Sequence, residues 1–345
     1  MSLPPPAPAE RPTPAFRLGG WRLALTLALT VALLVLLFTQ VRFSDIVTML
    51  RRADPRLFAL GCAAYVVSYL GRVARWQLLT PSRSIPKGAL FGITSVHNFM
   101  LRALPSKLGE GVYLVLMRAQ GVSGTEALAG LVIARLYDMA AAIVFFLISL
   151  LLTGAQLHQS LPANLAAGAA VVAFCALAVL RGSLLIRFAN SLAGRVAGQA
   201  WLPRFLQGHG LRRRMDRLET ELAGMQSARQ APLLLLSTLA IWIPSYLMFY
   251  WLLQSFGTPF SFWGTVFAST LSTVTTLLPV GTIGNFGTTE AGWTMGLVLL
   301  GASKEQALAT GLSTHIVGFA LAGLLGLVGA VFLGPALLGR GEKGK

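Results

Sequence analysis

A bilayer offers no water to backbone N–H and C=O groups, so a chain crosses it only as helices or a closed barrel. This chain carries six apolar runs of near-crossing length: Trp21 to Thr39, Leu57 to Leu79, Ala127 to Thr153, Pro162 to Leu180, Pro232 to Phe256 and Ala307 to Leu333. A helix needs roughly 20 residues to cross a hydrocarbon core of about 30 Å. Two further stretches, residues 89–118 and 261–300, are apolar but split into short arms. The first breaks at Pro105-Ser106-Lys107-Leu108-Gly109-Glu110. The second breaks between Pro279 and Glu290, through Gly281, Gly284, Asn285 and Gly287. Broken backbone at membrane depth must be buried in protein or line a wet cavity. A carboxylate there costs about 2.5–3.5 kcal/mol by insertion scales, so it needs a partner or a task. The expected fold is an all-α, polytopic integral membrane protein with about six full spans and two re-entrant or broken-helix hairpins. If every arm crossed fully, the count would be about ten.

Charge orients this arrangement. Only 12% of residues are charged, against about 25% in soluble domains. The net charge is +16. The bases sit in loops, where they suit the positive-inside bias and anionic lipid rather than nucleic acid. Residues 181–230 hold nine Arg and three acids, which places this insert in the cytoplasm. The loop near Leu157 is then outside, and Arg72, Arg75, Arg83 and Lys87 are inside. The first hairpin therefore enters from the cytoplasm and the second from the opposite face, as in transporters built from inverted repeats.

The expected organisation is a disordered Pro/Ala-rich tail (1–20), a membrane half with the first hairpin (21–180), the basic insert (181–230), a second membrane half with the second hairpin (231–334) and a basic tail (335–345). The first run lacks an A-x-A cleavage site and reads as a retained anchor. Phe43 to Arg52 suits a short surface helix. In the insert, Leu211, Met215, Leu218, Leu222 and Met225 make one apolar helical stripe, for the cytoplasmic membrane surface or for packing on protein.

Among the acids, Glu110, Asp138 and Glu290 fall at membrane depth, with Arg102, Lys107 and Arg135 as basic companions. Arg135 and Asp138 are three apart, share a helix face and can pair. Lys107 and Glu110 stand beside a Pro and a Gly, which suits function better than scaffolding. His97 and His315 stand alone in apolar stretches and read as satisfied core histidines. His158 and His209 read as loop residues. Cys62 and Cys175 read as buried free thiols. No cluster has metal-ligand spacing, no nucleophile elbow is present and no phosphate loop occurs, so no metal, cofactor or covalent catalysis is expected. What remains is broken helix ends beside Arg and Lys, which suit a phosphate. The expected substrate-binding residues are Arg75, Lys107, Glu110, Arg135, Asp138, Asn285 and Glu290. Pro105, Gly109, Pro279, Gly281, Gly284 and Gly287 shape the tips.

The order Arg72-x-x-Arg75-Trp76, Pro105-x-Lys107-x-Gly109-Glu110, Arg135-x-x-Asp138 and then Pro279, Gly281, Gly284 and Glu290 resembles the lysylphosphatidylglycerol synthase transmembrane region, or flippase-like domain. The likeness runs through nearly the whole chain from Trp21. It implies movement of an aminoacylated or other phospholipid, a polyprenyl-linked sugar or a hopanoid between leaflets. Tyr113 and Lys107 stand where relatives usually have arginine, and His315 stands for an arginine in the last span. No soluble aminoacyl-transferase domain is read after the last span, so the expectation is a stand-alone membrane domain.

The function expected is a flippase-like transporter in a bacterial inner membrane, with the N-terminus cytoplasmic. Its partners would be anionic or headgroup-modified lipids, and a separate lipid-modifying enzyme is a further candidate. The alternatives are an integral-membrane enzyme acting on lipid-linked sugar or lipid, and a non-catalytic subunit of a lipid-modifying enzyme. The orientation is open to test. Single cysteines near Gly208 should label only from the cytoplasm and those near Gln156 only from outside. The opposite pattern would overturn the orientation.

Overall fold

The computed structural model describes residues 43–81, 84–104, 108–154, 220, 230–258, 260–276 and 282–338. The expectations for the first and fourth apolar runs, the N-terminal tail, the C-terminal tail beyond residue 338, nearly all of the insert, and Pro105, Lys107, Pro279 and Gly281 lie outside these residues.

Helices follow one another as α1 (Phe43–Arg52), α2 (Pro55–Leu78), α3 (Lys87–Ala103), α4 (Leu108–Ala119), α5 (Gly124–Thr153), α6 (Ala231–Ser255), α7 (Phe262–Thr275), a 3-10 turn (Ile283–Asn285), α8 (Thr288–Leu299) and α9 (Lys304–Leu338). No strand occurs among the described residues. Helices α2, α5, α6 and α9 are long and apolar enough to cross a membrane. Their outward faces carry Leu70, Leu152, Leu236, Leu327 and Val331 exposed, as lipid contact requires.

The two short pairs break where the sequence clusters Pro and Gly. Helix α3 stops at Leu104, which is extended (φ −94°, ψ 139°), and α4 begins only at Leu108. In the second pair Gly284, Asn285 and Gly287 all have positive φ (70°, 55° and 88°). Starts are set by local chemistry. Asp54 accepts from the Arg56 and Leu57 N–H groups ahead of Pro55, while Ser123, Ser261 and Ser303 each accept from the N–H three residues on.

The described helices fall into two units, α2–α5 and α6–α9, each long–short–short–long. Helix α8 begins at 288 where α4 begins at 108, and α9 at 304 where α5 begins at 124, so one shift of 180 residues aligns them. The same shift carries Gly121 onto Gly301, both with positive φ, and the cap Ser123 onto Ser303. Packing follows this pattern. Helix α2 lies along α6, α3 packs on α9, and α7 packs on α5. Each unit thus lends its first short arm to the long last helix of the other. Helix α1 packs its Ile46 against Leu308 and Leu312 of α9, with Thr48, Arg51 and Arg52 exposed, so it is docked on protein along one face.

Within each pair the arms approach at a glycine. A Cβ on Gly109 would lie 2.5 Å from the Leu101 backbone N, and one on Gly292 would lie 2.6 Å from the Leu271 carbonyl oxygen. Nothing lies within 4 Å of a Cβ on Gly111. Gly109→Ala and Gly292→Ala should therefore destabilise by about 1–3 kcal/mol through overpacking against backbone. Gly111→Ala should not. Thermal unfolding of the three variants in detergent checks this, and equal melting temperatures would contradict it.

Candidate functional site

Five helices contribute to a polar cluster in the first unit. Arg75, in the last turn of α2, is 2% exposed. Its Nη1 and Nη2 donate to Asp138 Oδ1 and Oδ2 at 2.6 and 3.2 Å. This fork-to-carboxylate geometry suits burial, because both charges are hydrogen-bonded as well as paired. Asp138, on α5, also accepts from Trp242 Nε1 of α6 at 3.0 Å. One turn earlier on α5, Arg135 is 44% exposed and reaches Glu110 Oε1 through Nη2 at 2.5 Å and Nε at 2.8 Å. Glu110 stands in the first turn of α4, where the helix dipole favours a carboxylate. Its Oε2 lies 3.1 Å from His97 Nε2 of α3. Trp76 and Tyr113 stack at 4.2 Å and wall off His97.

A cleft runs beside this cluster, lined by Arg72, Arg75, Thr94, His97, Asn98 and Arg135, among others. Its volume of about 20 Å³ is on the scale of a water molecule, not of a headgroup. Arg72 has a buried Nε with no hydrogen-bond partner. Its guanidinium sits 5.9 Å from the Tyr69 ring, and that of Arg102 sits 5.8 Å from the Tyr65 ring. Asn98 Nδ2 donates to both tyrosine hydroxyls, at 3.1 and 2.7 Å, and fixes this aromatic platform.

The second unit holds a drier cluster. Glu290, 0% exposed in the first turn of α8, places Oε1 2.6 Å from His315 Nδ1 of α9. Its Oε2 accepts from the Gly287 N–H at 2.7 Å. That bond is one half of a capping box, since glycine has no side chain to return the other. The Phe286 ring stacks on His315 at 4.4 Å. A small cavity of about 30 Å³ lies alongside, between Arg102, Thr289, Trp293, Thr314 and His315.

Arg75, Glu110, Arg135 and Asp138 are therefore brought together, while Glu290 belongs to another cluster. These contacts place the two glutamates in separate clusters. Glu110 is held among α3, α4 and α5, and Glu290 between α8 and α9, because each glutamate is satisfied inside its own unit. Arg135 and Asp138 do pair, at 3.2 Å, and each has a closer partner as well: Arg75 for Asp138 and Glu110 for Arg135. Asn285 shapes the second tip through its positive φ and a carbonyl that accepts from Thr288 Oγ1. Lys107 lies outside the described residues.

The sequence reading missed the two histidines. His97 and His315 each face a site carboxylate instead of serving as plain core residues. One signal was available. Glu110 to Arg135 and Glu290 to His315 are both separations of 25 residues.

The geometry separates a structural acid from an exchangeable one. Asp138→Asn leaves Arg75 buried without a counter-charge and should cost about 3–5 kcal/mol. Glu110→Gln takes one carboxylate from the half-exposed Arg135, which keeps Asp138 at 3.2 Å, and should be far milder. Melting temperatures in detergent should rank them in that order, and the reverse ranking would refute the assignment.

The family model of the lysylphosphatidylglycerol synthase TM region matches residues 23–326. No curated protein gives a significant match. Matched over most of its length and built on apolar helices of crossing length, the chain is an integral membrane protein that belongs to the lysylphosphatidylglycerol synthase TM region family, a membrane domain associated with lipid modification or flipping.

Proposed function

We propose that this protein moves a phosphate-bearing lipid, a phospholipid or polyprenyl-type lipid, between the leaflets of a bacterial inner membrane, without covalent catalysis. The observation that carries this reading is a surplus of cations at the cleft. Arg72, Arg75 and Arg135 converge there against two carboxylates, Glu110 and Asp138. Among the described residues no carboxylate lies within salt-bridge distance of Arg72. An uncompensated guanidinium in an apolar surround is costly, and a lipid phosphate supplies the missing charge with matching planar geometry.

The arrangement also suggests how a headgroup enters. Arg75 and Asp138 are buried and locked to each other, with Trp242 donating to Asp138, so they act as scaffold. Arg135 is half-exposed and bound to Glu110, which rides on the short helix α4. Exchange of Glu110 for a phosphate would replace one charge-assisted pair by another of similar strength. The cleft as it stands admits a water and not a headgroup, so α4 must move for the exchange to occur. The acyl chains would stay in the bilayer along the apolar outer faces.

Arg72 offers a clean test because its removal strands no carboxylate. In proteoliposomes with a fluorescent phosphatidylglycerol, Arg72→Gln should slow leaflet exchange at least about tenfold, the loss of one hydrogen bond to a charged group at about 1.5–3 kcal/mol. Arg72→Lys should be intermediate, since it keeps charge but loses the fork. Unchanged exchange in a folded Arg72→Gln protein would overturn the reading. A new lipid species on thin-layer comparison of cells making this chain alone would point to an enzyme instead.

A further inference from the structure

The aligned units place a permanent cation and a titratable one at the same position. Arg135 and His315 correspond under the 180-residue shift, as do Glu110 and Glu290. In the first unit the carboxylate meets a guanidinium that never loses its proton. In the second it meets an imidazole at 2.6 Å, in a site where the glutamate is 0% exposed. We propose that Glu290 and His315 form a proton-binding site, and that its loading controls the seating of the second tip.

Both members of the pair hold that tip. The Glu290 carboxylate accepts the Gly287 N–H, and the His315 ring carries Phe286 stacked upon it. With one proton between them the pair is neutral overall. A second proton makes the site +1, as neutral Glu290 and cationic His315. A protonated carboxyl is a poorer acceptor for the Gly287 N–H, so proton gain loosens the bond that fixes residues 286 and 287 to α8. Among the described residues, the other elements packed on this part of α9 bring one further charged side chain to the cavity. Helix α3 brings Arg102 into the same cavity, while α6 brings Met248 and Phe249, and α1 brings Ile46 and Met49. Arg102 has no carboxylate within salt-bridge distance among the described residues, so it registers each change in the charge of the pair.

The site stands on its own geometry, and its use in lipid movement rests on the function proposed above. Infrared difference spectra of the full-length protein in lipid, taken across an acid titration, should show a carboxylic-acid C=O band that rises with acid. Glu290→Gln should remove that band. A nitroxide at Ile283 should become more mobile in acid in the otherwise native protein. His315→Arg, which copies the first unit, should abolish that response, and His315→Gln serves if the arginine variant does not fold. Absence of the band in wild type, or a nitroxide whose acid response survives both histidine variants, would overturn the proposal. The same samples separate it from the transport reading. A titrating band without lipid exchange leaves the proton site standing and removes transport. Lipid exchange without a titrating band does the opposite.

Discussion

A carboxylate held out of water must be hydrogen-bonded and offset by a cation or a proton. Each half of this fold is arranged around one such group. Glu110 and Glu290 stand at the same place in their units, in the first turn of the second short helix, where the free N–H groups of a helix start favour negative charge. Each takes its basic partner from the long helix that follows. Those contacts hold a broken pair of short helices against a crossing helix, and Gly109 and Gly292 let the two arms come close enough for it to happen.

The two units share a plan but not a chemistry. The first gathers arginines from α2, α3 and α5, and among the described residues Arg72 and Arg102 have no carboxylate within salt-bridge distance. The second is almost free of charge and seals its glutamate against a histidine and a phenylalanine. Because α3 of the first unit packs on α9 of the second, Arg102 reaches the wall of the second cluster. Movement of either short pair therefore bears on both clusters.

Residues three apart on a helix can touch, and Arg135 and Asp138 do pair. What spacing does not show is the second cation, because Arg75 is almost fully enclosed and aligned as a fork on the same carboxylate. The two glutamates lie at separate hairpin tips, and each is neutralised inside its own unit. The histidines read as core because nothing near them in sequence is charged. Each has its partner on the neighbouring helix, Glu110 for His97 and Glu290 for His315.

The sequence by itself determined the membrane class, the broken short helices and the acids and arginines that carry charge at depth. These depend on local quantities: the length of an apolar run, the presence of Pro and Gly, and the cost of a charge in hydrocarbon. Only the tertiary structure decided which cation meets which carboxylate, and that α3 crosses to α9 while α7 crosses to α5. Ion pairing in a low-dielectric interior depends on separations of a few ångströms between residues far apart in the chain. Arg75 and Asp138 are 63 residues apart, and Trp242 and Asp138 are 104 apart. No periodicity encodes those meetings. They follow from how the helices pack.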